Sequence, residues 1–329
     1  MTRSPSSFRE PSADGRVLVA GSLAFDQIMD FPGHFKDHIL PEKIHMISIS
    51  FLVSEFRKQR GGCSGNIAYT LALLGERPRI LATAGSDFGD YRDWLAGQGV
   101  EVDGIRIYED EVTASCFITT DMADNQITGF YVGAMKRAGE LSLSAAADEA
   151  PDARLAVVAP DDPGAMLRHC REAREAGMPV VFDPSFQVIA LDGESLAEAA
   201  RGAKAVIVND YELAVFREKT GLDLAGLHEL AELWVVTYGE EGSRIHPREG
   251  EPIEIPAAPA REIVDPTGAG DAYRGGFVAG LLRGADLGVC GRMGSVAAVY
   301  AVECYGTQSH AYTREEFWRR YDDAFGARD

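Results

Sequence analysis

The chain has 329 residues, 46% hydrophobic and 25% charged, with a formal net charge of -19 at pH 7. That composition belongs to a soluble globular protein with a large core, and the excess of carboxylates argues against a polynucleotide or an anionic membrane as partner. No apolar run reaches transmembrane length, and five scattered cysteines with no C-x-x-C pair argue against a disulfide framework or zinc site and fit a reducing cytoplasm.

Residues 1–15 have no apolar signal-peptide core and read as a disordered leader. Arg16 to Gly21 is a short buried strand, and Ser22 to Asp26 leaves its C-terminal end, the edge where open α/β sheets bind ligands. Asp26 stands among apolar residues. It either caps a turn or accepts from two adjacent hydroxyls, as on a ribose or hexose. From Asp30 the pattern turns irregular, and Lys43 to Val53 then alternates like a strand. The segment is too long for a simple connection and reads as an insertion leaving the main sheet.

Gly61-Gly-Cys-Ser-Gly-Asn66 opens a helix from Ile67 to Leu74. Its glycines serve either as a helix cap or as a place where a ligand approaches the backbone, with Asn66 offering donor and acceptor. A strand from Arg79 to Ala84 follows, then a helix near Tyr91 to Gln98 and a strand from Val100 to Ile107. Ser115 to Asp121 and Gln126 to Val132 flank Met122-Ala-Asp-Asn125, which is a hairpin signal. With Lys43 to Val53 this hairpin would form a small lid sheet.

From Arg154 strand and helix alternate: Leu155 to Val158, Pro163 to Ala176, Pro179 to Phe182, Ser195 to Arg201, Ala205 to Val208, a helix opened by Asn209, Leu233 to Thr237, Ala269 to Arg283, and Leu287 to Glu303. Such alternation predicts a mostly parallel, doubly wound sheet with helices on both faces. Asp26, Asp183, Asn209, Thr237 and Asp265 then fall at strand C-termini that would converge on one crevice. Asn209 and Glu212 share a face at a helix start. They form either an N-cap with its first-turn carboxylate or a water-mediated Mg²⁺ holder beside phosphates.

The chemistry concentrates in Val264-Asp-Pro-Thr-Gly-Ala-Gly-Asp271. Glycines at 268 and 270 feed a helix whose first amides lack intrahelical partners and suit a phosphate or a developing oxyanion. A carboxylate at 271 would repel that anion unless it takes a proton from an attacking hydroxyl. A capped buried helix is the structural alternative. Tyr273 stands at the third-glycine position of a dinucleotide fingerprint, and neither G-x-x-x-x-G-K-[ST] nor H-E-x-x-H occurs.

Together, Gly61 to Asn66, Asn209-Asp-Tyr-Glu212 and Asp265-Pro-Thr-Gly-Ala-Gly-Asp271 resemble the two glycine motifs and the N-x-x-E element of the ribokinase-like (PfkB) family of carbohydrate and nucleoside kinases. Gly21 to Asp26, Phe31 to Gly33, Ser48 to Val53 and Phe130 to Met135 look most like bacterial adenosine kinases within it. The resemblance implies an ATP-dependent kinase phosphorylating the 5′-hydroxyl of a nucleoside, with adenosine as first substrate and a ribose- or fructose-type sugar as alternative; a non-catalytic nucleoside-binding regulator on the same fold is a further alternative. It implies Asp271 as base and Gly268, Ala269 and Gly270 as its anion hole. Asp26 and Asn66 would hold the ribose with Gly62 beside them, Ser22, Ser50 and Phe130 would surround the base, and Gly61 and Gln187 would be further substrate contacts. Asn209, Thr237, Gly239, Thr267, Gly268 and Gly270 would face ATP. Glu212 would hold Mg²⁺ through water, and a potassium-type cation would sit near Asp265, Thr267 and the loop 304–307. Cys116 stands where actinobacterial relatives carry an aromatic that stacks on the base, a difference worth ~1 kcal/mol. The implied domains are a large α/β unit of 16–26, 54–112 and 136–329 and a β lid of 27–53 and 113–135. Open lid edges predict a homodimer.

Overall fold

The computed structural model describes residues 15–39, 49–123 and 125–326. In chain order the elements are β1 (Arg16–Ala20), β2 (Ala24–Asp30), β3 (Glu55–Gly61), α1 (Cys63–Leu73), β4 (Arg77–Gly85), α2 (Gly89–Gly97), β5 (Ile105–Tyr108), β6 (Ala114–Thr120) and β7 (Gln126–Tyr131). Then come α3 (Leu143–Glu149), β8 (Ala153–Val158), α4 (Pro163–Glu175), β9 (Val180–Phe182), α5 (Gly193–Ala200), β10 (Ala205–Asn209), α6 (Asp210–Thr220) and α7 (Leu224–Leu230). The chain continues through β11 (Leu233–Thr237), β12 (Ser243–Pro247), β13 (Ile253–Ile255), α8 (Ala269–Leu282), α9 (Leu287–Val302) and α10 (Arg314–Phe325).

The large sheet runs β13-β12-β11-β10-β9-β8-β1-β4-β5. Its β5-to-β11 part is parallel, and β12 and β13 add an antiparallel edge. Successive residues of β1 go to opposite faces. Val17 and Val19 pack with Ile67 and Phe277, while Leu18 and Ala20 pack with Met166 and Phe182. Burial on both faces explains the unbroken apolar runs of the central strands. The doubly wound α/β fold expected from the alternation is therefore present, with a separate four-stranded sheet in the order β3-β2-β6-β7.

That small sheet corrects the expected place of residues 55–61. Of the strand expected over Lys43 to Val53, residues 43–48 lie outside the described residues, and 49–53 are irregular. The strand that pairs with β2 is β3, Glu-Phe-Arg-Lys-Gln-Arg-Gly, in antiparallel register from Ala24 opposite Gly61 to Asp30 opposite Glu55. It was expected within the large unit because its charges mask the strand pattern. Arg57, Lys58 and Arg60 lie on what is, among the described residues, an edge strand, where charge discourages further pairing. Asp26 accordingly lies inside β2, not at the end of a large-sheet strand. The hairpin of β6 and β7 is as expected.

α8 is wedged between α1 and α9. A Cβ on Gly275 would lie 2.7 Å from Thr70 Cβ, and one on Gly276 would lie 2.5 Å from the Met293 carbonyl oxygen. The missing side chains let the three helices close up, which fixes the N-terminus of α8 in space.

Candidate active site

Asp271 sits in the first turn of α8, after Gly268 as N-cap with φ of 81°. That glycine conformation reverses the chain into the helix, and a Cβ there would strike Thr307 at 2.9 Å. Among the described residues no protein acceptor takes the amides of Gly268, Gly270 or Asp271. The Ala269 amide, expected to be part of the anion hole, instead donates to the Pro266 carbonyl at 3.2 Å. Amides without an intrahelical partner at a helix N-terminus are suited to receive an anion.

The Asp271 carboxylate is half-buried and accepts from Asn66 Nδ2 at 2.8 Å. Burial pushes its pKa up, opposed by Arg274, Asn66 and Cys63. Arg274, one turn further along α8, is buried against Asp183 at 2.6 Å and lies 3.8 Å from Glu212. Asp183 is thus inside an ion pair and does not face the cleft as expected; burial pushes its carboxyl up.

Asp26 meets the same region from the small sheet. A Cβ on Gly61 would lie 2.6 Å from its Oδ2, so only glycine admits the carboxylate there. Burial, then the charges of Asp265 and Asp271, raise its pKa to about 6. Register places Gln59, Asp26, Cys116 and Phe130 in one row across a single face of the sheet. Phe130 is half-exposed there. Gly62 has φ of 89° and starts α1, and the Ser22 Oγ accepts from Cys63 N at 3.3 Å. Ser22 therefore holds the turn into α1.

Two clefts meet at the 265–270 loop. One, of 930 Å³, is lined by Asp26, Arg57, Cys116, Asp265, Thr267 and Tyr305. The other, of 680 Å³ and largely apolar, is lined by Thr237, Gly239, Ala258, Gly270, Tyr273 and Val299. Both volumes suit small organic ligands. Asp265 belongs to the loop before α8 and not to a strand end. Its two oxygens accept from Thr267 N at 2.9 Å and Gly306 N at 3.0 Å, so it ties the two loops together.

Other expected residues have structural duties. Asn209 and Glu212 form a reciprocal capping box on α6, at 2.7 and 2.8 Å. Gln187 is buried and gives its amide to the Asp161 carbonyl at 2.6 Å. Ser50 is exposed in irregular backbone. Among the described residues no three His, Cys, Asp or Glu side chains gather as a metal site. Sequence reasoning missed Arg274, Tyr91 and Gln308. Only Arg274 carried a local signal, a cation three residues beyond Asp271 on the same helix.

The pattern of the pfkB family carbohydrate kinases matches residues 31–314. The chain belongs to that family. It is a kinase with a hydroxyl group as acceptor. The nucleoside kinase of Methanothermobacter thermautotrophicus is 34% identical over 318 residues, 96% of this chain and 98% of that protein. The solved Burkholderia thailandensis nucleoside kinase in complex with inosine is 38% identical with a TM-score of 0.84, over 95% of this chain and 99% of that one. The Methanocaldococcus jannaschii nucleoside kinase, an archaeal member of the ribokinase family, aligns at 27% identity with a TM-score of 0.84, over 95% and 100%. As a pfkB-family kinase, the chain has a fold shared with nucleoside kinases along nearly its whole length.

Proposed function

We propose that the chain transfers the γ-phosphoryl group of ATP to the 5′-hydroxyl of a purine nucleoside, with adenosine as the first candidate substrate and inosine the second. The observation carrying this reading is the Asn66–Asp271 contact, at 2.8 Å, beside the loop that separates the two clefts. The nucleoside would lie in the larger cleft, with its ribose hydroxyls on Asp26 and Asn66 and its base against the Cys116–Phe130 row. ATP would lie in the apolar cleft near Thr237 and Gly239, its phosphates over the amides of Gly268 and Gly270. Asp271 then takes the 5′-hydroxyl proton as the oxygen attacks in line, and the helix N-terminus stabilises the charge that develops. A carboxyl whose pKa is raised by burial is a better base near neutral pH than a solvated one.

Mg²⁺ bound with ATP would supply charge neutralisation on the phosphates while keeping several of its waters. Glu212 is the carboxylate that would hold such waters, though its Oε2 already accepts the Asn209 amide. Asp265 and Thr267 suit a potassium-type cation, since the Asp265 oxygens keep acceptor capacity beyond their two amides.

The four-stranded sheet would close as a lid to exclude water. Its outer edge strand β7 is exposed along its length, and Phe56, Phe117 and Ile127 are exposed on the face away from the cleft. We assign a homodimer to this surface. The scattered free thiols of Cys63, Cys116, Cys170, Cys290 and Cys304 support a reducing cytoplasm as the setting. No helix among the described residues is long and apolar enough to cross a membrane. A phosphorylation screen over adenosine, inosine, guanosine, cytidine, ribose and fructose, with and without K⁺, tests the reading. Turnover of sugars alone would overturn the nucleoside assignment.

A further inference from the structure

Asn66 is useful to Asp271 only in one orientation. With its Nδ2 toward the carboxylate it donates a hydrogen bond, and with its amide turned over it would set one oxygen against another. The structure shows what selects the orientation. Asn66 Oδ1 accepts from Gln308 Nε2 at 2.7 Å, and the same Nε2 donates to Tyr91 Oη at 2.5 Å. Tyr91 Oη donates its own proton to the Gly61 carbonyl at 3.0 Å. Asn66, Gln308 and Tyr91 are all at least 94% buried, at 5%, 6% and 1% exposure.

The chain of bonds therefore runs from a backbone carbonyl to a carboxylate, two ends that only accept. A run of donors between two acceptors must reverse direction once, at a group that donates both ways. An amide NH₂ has two protons and does this; a hydroxyl or an ionised carboxylate does not. Gln308 is that group. Its Oε1 is buried with no partner among the described residues. Space for the relay comes from Gly65, where a Cβ would lie 2.3 Å from Tyr91 Oη and 3.0 Å from Gln308 Nε2. The neighbouring Thr307 packs on Gly268 and donates to the Arg60 carbonyl at 2.9 Å, so one short loop serves both the anion hole and the relay.

We infer that Gln308, itself set by Tyr91 and the Gly61 carbonyl, is a positioning residue for the kinase reaction, orienting the Asn66 amide so that it holds the ionised form of Asp271. The inference rests on Asp271 being the base. The groups facing Asp271 are Cys63 and Asn66 of α1, Arg274 of α8, Glu212 of α6, Asp183 after β9 and Asp26 of β2. Tyr91 also feels the Asp271 charge, and substitution at 308 or 91 leaves the identity of every other group unchanged, so that what it alters is the orientation of the Asn66 amide.

The test compares Gln308→Met, Gln308→Glu and Tyr91→Phe with the parent enzyme, measuring kcat, both KM values and kcat/KM against pH, with melting temperatures as a folding control. In Gln308→Met, kcat should fall about tenfold to a hundredfold, as for loss of a hydrogen bond to a charged group. The acid limb of the pH profile should move to higher pH while the KM for ATP stays unchanged. Gln308→Glu should follow the same direction. If Gln308→Met does not fold, Tyr91→Phe carries the test by removing one oxygen. Folded variants whose kcat and acid limb superimpose on the parent would overturn the inference, as would a loss confined to KM. Asp271→Asn run alongside separates the two claims. An active Asp271→Asn sinks the base itself, whereas an inactive one with unmoved 308 and 91 profiles sinks only the relay.

Discussion

Arg274 Nε lies 2.6 Å from Asp183 Oδ2, with both side chains buried and the pair one helical turn past Asp271. The same guanidinium is 3.8 Å from Glu212. One buried cation thus offsets the carboxylates gathered at the N-terminus of α8, and it is the main influence opposing the burial of Asp271. Breaking such a pair leaves a buried charge without compensation. Arg274→Met should lose about 3–5 kcal/mol in urea unfolding. Adding Asp183→Asn should recover part of that loss, because the orphaned charge goes with it. Equal stability of the single and double variants would count against the pair.

Removing the proposed proton acceptor should separate chemistry from binding. Asp271→Asn should lower kcat by roughly 10²–10⁴. Nucleotide affinity, read by calorimetry, should stay close to that of the parent. Because the Asp271 pKa is raised, the parent's kcat/KM should fall on the acid side at a pH above that of an ordinary aspartate. Near-normal turnover in the variant would end the proposed mechanism.

Asp26 should show a trade of stability for binding. Its folded pKa is about 6 against an ordinary 3.8. Between those values the folded chain holds a proton that the unfolded chain releases, so this group's contribution falls as pH rises through the window and is flat above it. Asp26→Asn removes the penalty. It should be more stable than the parent by roughly 3 kcal/mol at neutral pH, with the difference vanishing below the unfolded pKa. Nucleoside affinity should drop at least about tenfold in the same variant. A melting-temperature difference that does not change with pH would refute this.

The glycines before α1 have a checkable cost. A Cβ on Gly62 would lie 2.6 Å from the Ser22 carbonyl oxygen, and its φ is 89°. Gly62→Ala should lose about 2–3 kcal/mol. Gly97, with nothing within 4 Å of its Cβ position, provides the contrast. Gly97→Ala should be neutral or gain up to about 1 kcal/mol. Thermal melts of the two variants decide it.

The proposed lid dimer predicts a change in mass. Phe117 faces away from the cleft, opposite Gly129 on β7 and beside Gln27 on β2. Phe117→Glu should shift light scattering from dimer toward monomer without moving the melting temperature of the folded unit. An unchanged mass would remove this surface as the interface.

Local chemistry was legible in the chain wherever neighbours in sequence are neighbours in space. Gly268 and Asp271 lie within one turn, so the outward amides and the carboxylate could be read from the motif. The apolar runs of β1, β8, β10 and β11 announced strands buried on both faces. β3 was hidden because an exposed edge strand carries charges that give no apolar alternation. Asn209 and Glu212 show the converse, since a capping box and a metal-side pair look alike until the hydrogen bonds are seen.

By itself the sequence determined the α/β alternation, the glycine-rich turn into α8 and the acid that follows it, because backbone geometry and capping act over a few residues. The tertiary structure alone decided that Asn66 meets Asp271 across 205 positions, that Gln308 reaches Asn66 across 242, and that Arg274 is spent on Asp183. Those pairings follow from helices closing over glycines and from the direction in which buried donors must point, and neither is encoded in any short stretch of chain.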